Sequence, residues 1–170
     1  MFRNRAKNGN INFNVNIGGT PTTVMTINGS TGVISGNQID ANYADLAERF
    51  EADTSYTAGT VVALGGAAEI TAETEELSEN VLGVISTKAA YLMNAAAGSD
   101  ETHPAVAVSG RVPVRVIGKV KKGDRLVSAG FGLARAAKDS EATPFNVIGR
   151  ALESKITPNV GYVEAFVSIK

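Results

Sequence analysis

Three groups of side chains have types and spacing that could do chemistry. Asp45, Glu48 and Glu51 follow one another at intervals of three. On a helix that interval places carboxylates on one face. One of them could then act as a general base toward a neighbouring peptide bond. The alternative is structural: acids at the start of a helix are stabilised by its dipole, and Arg49 offsets part of their repulsion. The second group is Lys119, Lys121 and Lys122 before Gly123-Asp124. It reads as an anion site or as a solvated hairpin, for which the Gly-Asp pair supplies turn chemistry. The third is His103, in Thr102-His103-Pro104 behind Asp100-Glu101. A residue before proline is pushed toward an extended conformation, so a polar loop is the expected setting.

What is missing narrows the chemistry further. The chain has no Cys and a single His, so it offers no disulfide framework, thiolate ligand or cysteine nucleophile. A metal at His103 would need carboxylates from elsewhere, and no metal site is expected. The glycine-rich stretches at 18–19, 65–66 and 130–132 lack the Gly-Lys-Ser/Thr ending of a phosphate loop, and no cofactor is expected. With 16 Lys and Arg against 17 Asp and Glu, the net charge of −1 argues against holding nucleic acid by bulk charge. No apolar run approaches the roughly 20 residues that span a bilayer, so no membrane insertion is expected. The basic start, with Arg3, Arg5 and Lys7, reads as an arm that docks on an acidic partner rather than as a secretory leader.

The elements that must position these groups are mostly strands. Apolar content of 44%, aromatic content of 6% and 18 Gly suit short strands joined by tight turns. Nine of the 13 Asn lie in the first 42 residues. In residues 10–17 Asn alternates with Ile11, Phe13, Val15 and Ile17, the period of a strand with one buried and one wet face. Gly18-Gly19 breaks the chain, 22–27 reads as a second strand, Asn28-Gly29 as a tight turn, and 33–35 as a third strand. Three short strands bury too little to stand alone. Their apolar face must pack on the rest of the chain or on copies of itself, and Ile11, Phe13, Val15 and Ile17 are expected to line an interface between copies. Residues 43–51 form the best helical stretch, with Tyr43, Leu46, Ala47 and Phe50 at helical spacing and Asn42 as N-cap. Strands are then expected at 60–64, 69–71, 81–86, 105–109, 112–117, 125–128, 132–136, 146–152 and 162–169. The fold class is therefore mainly β: a basic arm at 1–8, a β-rich shaft or attachment segment at 9–41, and a domain at 42–170 that begins with a short helix and continues as a compact β-barrel or sandwich.

Charge is segregated along the chain. Residues 40–80 hold ten acids and one base, a net of −9, whereas 81–170 hold twelve bases and seven acids, a net of +5. Internal ion pairs would explain this, and so would complementary contact between neighbouring subunits.

One stretch carries a family resemblance. Asp45-Leu46-Ala47-Glu48-Arg49-Phe50-Glu51 resembles the Asp-Tyr-Ala-Glu-Tyr-Phe-Glu motif of the self-cleaving C-terminal maturation domain of phage pre-neck appendage (tailspike-like) proteins. Gly59-Thr60-Val61-Val62 and Leu82-Gly83-Val84-Ile85-Ser86 are similar to that family's next strands. The resemblance covers about residues 42–170. Ala44 to Arg49 and Gly110 to Pro113 are also similar to segments of marine phage virion proteins, and residues 9–13 and 31–36 to the β-rich shafts ahead of such domains. The resemblance implies self-cleavage before the motif's Asp, at Ala44–Asp45, assisted by Glu48. The family cuts after a Ser, and Ala44 stands in its place, which removes the hydroxyl that would attack. A retained, non-enzymatic structural domain is expected. A further resemblance, of 57–64 and 81–85, is to small β-barrel capsid decoration proteins.

Together these readings imply a bacteriophage virion structural protein: a homotrimeric tail-fibre or appendage component, located in the virion, that acts in tail assembly or host attachment. Its expected partners are further copies of itself, other phage tail or virion proteins, and a host surface receptor. Two alternatives remain: a capsid decoration or head-fibre protein, and a self-cleaving intramolecular chaperone domain.

Overall fold

The computed structural model describes residues 4–36, 42–138 and 140–169. The chain divides into two compact units, Met1–Ala41 and Asn42–Lys170.

The first unit is a three-stranded antiparallel sheet, β1 (Ile11–Ile17), β2 (Thr20–Ile27) and β3 (Ile34–Gly36), in that order. Gly18 and Gly19, both at positive φ, make the two-residue hairpin between β1 and β2, the conformation that such turns demand. The Asn face of β1 is tied across the hairpin: Thr23 Oγ1 donates to Asn14 Oδ1 at 2.6 Å and Thr26 Oγ1 to Asn12 Oδ1 at 3.0 Å. On the other face the register aligns Ile11, Ile27 and Ile34 across the three strands and sets Phe13 against Met25.

Every helix or strand described in the second unit is a strand. It comprises β4 (Asp45–Arg49), β5 (Val61–Leu64), β6 (Ile70–Ala72), β7 (Val81–Ile85), β8 (Tyr91–Met93), β9 (Ala105–Val116), β10 (Arg125–Gly130), β11 (Leu133–Ala136), β12 (Val147–Ala151) and β13 (Gly161–Ser168). β9 pairs with β13, which pairs with β12, β10 and β11 in turn, and β11 returns to β9 through Ala134 and Val116. This closes a five-stranded barrel, which removes exposed edges. The first half of β9 extends beyond that ring and carries β4 and β7 on its two edges at Ala107. The core is made of small aliphatic side chains, among them Val112, Val114, Val116, Leu126, Ile148, Val163 and Val167, all fully buried. They alternate with outward residues as a half-buried strand requires.

The expected helix over 43–51 is not formed, and no helix occurs among the described residues. Asp45–Arg49 is instead a strand between β9, antiparallel, and β8, parallel. Burial decides between the two periods. Asp45 and Ala47 are buried, while Tyr43 and Leu46, which a helix would have turned inward, are exposed. A two-turn helix is marginal on its own, whereas two neighbouring strands offer partners to the same backbone groups from both sides. Two further differences follow from tertiary pairing. β8 has no strong sequence signal and exists as the partner of β4. The strands expected at 105–109 and 112–117 are one, because Gly110 continues the ladder at φ +113.

Part of the charge segregation resolves into contacts within this unit. Arg135 donates from Nε to Glu76 and from Nη1 to Glu141, both at 2.7 Å. Thr143 donates to Glu79 at 3.0 Å.

Candidate functional site

The start of β4 is the most unusual point of the second unit. Asp45 is only 5% exposed. Its Oδ2 and the buried Ser86 Oγ both lack a well-formed hydrogen bond. Burial pushes the Asp45 carboxyl above its ordinary range; the Ser86 hydroxyl and the backbone amides of Asp45 and Ala90 pull it down by less. Just upstream, the Ala44 carbonyl accepts from the Arg111 backbone N–H at 3.0 Å. Gly110 lets the two strands approach this closely, since a Cβ there would lie 2.2 Å from the Ala44 oxygen. A shallow recess of about 210 Å³ opens beside this bond, lined by Tyr43, Thr87, Lys88, Arg111 and Glu164. Lys88 Nζ sits 5.1 Å from the centre of the Tyr43 ring, a cation–π contact.

This geometry bears directly on the carboxylate row expected from the sequence. On a strand, residues three apart face opposite sides and lie about 10 Å apart. Asp45 and Glu48 are therefore not brought together. Asp45 points into the unit, and half-buried Glu48 lies on the other face of β4, paired in register with Met93 and Val106. Ser86, by contrast, is brought to Asp45 from the end of β7, 41 positions away. No local motif announces that pairing.

The remaining sequence candidates have structural settings. The His103 N–H donates to Ser99 O at 2.7 Å, and its carbonyl accepts from Arg49 Nη1 at 2.6 Å. Arg49 also pairs with Asp100 at 2.7 Å, so His103 belongs to a pinned loop. Lys121 and Lys122 are exposed on a turn in which the Lys121 N–H donates to Asp124 Oδ2 at 2.8 Å and the Lys122 N–H to Ser154 Oγ at 2.9 Å; Lys119 is exposed nearby. Among the described residues no three metal-ligating side chains of the His, Cys, Asp and Glu types cluster. In the first unit Ile11 is half-buried, while Phe13, Val15 and Ile17 are 45%, 45% and 57% exposed. Arg5 and Lys7 are exposed, and Arg3 lies outside the described residues.

No protein-family model matches the chain, and no curated protein matches it. Among solved structures, the pre-mature form of bacteriophage phi29 gene product 12 is similar, with a TM-score of 0.59 over 87% of this chain at 18% identity. The chain shares the fold of one part of that protein. It spans about a quarter (24%) of that chain's length, so the likeness is one of architecture and carries no residue roles.

Proposed function

We propose that the protein is a bacteriophage virion structural component that works as a homotrimer in a tail fibre or appendage, contributing to tail assembly or host attachment. The observation that carries this reading is the apolar face of the first unit. Phe13, Val15, Ile17 and Ile34 stand largely exposed on a three-stranded sheet. Among the described residues the first unit supplies no second layer for this sheet, and a sheet of this size needs one. Copies of the same segment around an axis supply that layer, and each interface then repeats by symmetry. The likeness to a phage gene product supports the setting in a virion. The exposed Arg5 and Lys7, together with Arg3, are assigned to docking on an acidic neighbour in the tail.

The reading is of a retained domain rather than a self-cleaving one. Ala44 brings no hydroxyl to the Ala44–Asp45 bond, and Glu48 lies on the far face of β4 from Asp45. Multi-angle light scattering of the full chain at micromolar concentration tests the assembly. Three times the 17.6 kDa chain mass is the expected result, and a monomer would remove the proposal.

A further inference from the structure

The outer face of the barrel carries a second feature, independent of the trimer. Strand register places Arg125 opposite Arg150, Arg150 opposite Phe166, and Phe166 opposite Arg111. Paired residues of an antiparallel ladder share a face, and all four side chains are exposed. Three guanidinium groups and one aromatic ring thus form a row across β10, β12, β13 and β9. Like charges directly opposite one another are unfavourable. Nevertheless, neither Arg125 nor Arg150 makes an ion pair among the described residues, and Arg150 is held only by a 3.2 Å hydrogen bond to the Gly123 carbonyl.

Two nearby acids are engaged elsewhere, and a third lies outside the cavity. Glu141 is taken by Arg135 at 2.7 Å and by the Lys138 N–H at 2.8 Å. Asp124 Oδ2 accepts from the Lys121 N–H. Glu164, on the same face of β13 as Phe166, lines the recess beside Ala44 instead.

Beside this row lies a half-open cavity of about 530 Å³, whose lining includes Arg125, Arg150, Phe166, Ser168, Thr143 and Pro144. Its volume is in the range of small-ligand sites. Phe166, 50% exposed, offers a flat apolar wall, and the Ser168 hydroxyl has no partner among the described residues. Guanidinium forks match the oxygens of carboxylates and phosphates. We infer that this cavity binds an acidic saccharide: a sugar ring laid against Phe166 whose carboxylate or phosphate is held between Arg125 and Arg150.

Titration calorimetry on the full chain tests this with four probes: glucuronate, glucose 6-phosphate, neutral glucose and inorganic phosphate. Saturable binding of glucuronate or glucose 6-phosphate, tighter than that of glucose and of phosphate, is expected, and the tighter of the two names the anion. Arg150→Gln and Phe166→Ala should each weaken that binding about tenfold, whereas Arg111→Gln, outside the cavity, should leave it within about twofold. All three positions are exposed, so folding is retained. Binding of glucose or inorganic phosphate as tight as that of the acidic sugars, no saturation up to about 10 mM, or full affinity in Arg150→Gln would each overturn the inference.

Discussion

At the scale of single residues, Asp45 carries the clearest physical signature. Its carboxyl is buried with one oxygen lacking a well-formed hydrogen bond, and it titrates above its ordinary value of 3.8. The folded state therefore holds the Asp45 proton to higher pH than the unfolded chain does. The sign follows from linkage: well below the ordinary value of 3.8 the group is neutral in both states and adds no pH dependence. As pH rises from there through the raised folded value, stability is lost, because ionisation is easier in the unfolded chain. Asp45→Asn removes that loss. Urea midpoints measured between about pH 4 and pH 8 should show the variant gaining on the native chain as pH rises; a difference that stays constant with pH would mean that Asp45 does not titrate in this way. Residue types alone made Asp45 a candidate. They gave no hint of Ser86, which arrives through long-range strand pairing.

At the scale of elements, β1 and β4 show opposite outcomes of pattern reading. In residues 10–17 the alternation of Asn with Ile, Phe and Val is strict, and β1 forms with its Asn side bonded to β2. In residues 43–51 the same kind of reading favoured a helix, because Tyr43, Leu46, Ala47 and Phe50 match helical spacing. The segment carries the strand period as well, in buried Asp45 and Ala47. The deciding contribution is the vacant edge of β9, which no local window contains. The β1 proposal has a direct test. Phe13→Asp places a charge where the interface is proposed, and exposure in the single chain means that it need not disturb folding of the second unit. Light scattering should show loss of the trimer while circular dichroism of the strand-rich unit is unchanged. A trimer persisting in Phe13→Asp would sink the interface assignment.

At the scale of the whole molecule, the two units invite different explanations. The second has a closed barrel with an aliphatic core. Among the described residues the first has a sheet with one hydrogen-bonded Asn face and one apolar face that is largely exposed, the pattern expected of a part completed by its own copies. The proposed retention of the chain is also a property of the whole molecule. Purified protein incubated for days and run on a denaturing gel should give one band at the mass of the intact chain; two fragments divided at Ala44–Asp45 would refute it. The sequence by itself determined the mainly β class, the first hairpin and most of the strands of the second unit, because alternation and glycine turns are local signals that survive without neighbours. It also determined the apolar row of β1. Only the tertiary structure decided that Asp45–Arg49 is a strand, that β9 runs unbroken through Gly110, and that Arg125, Arg150 and Phe166 stand in one row. Each of these depends on which strand lies alongside, and pairing across many intervening residues leaves no mark in any short stretch of sequence.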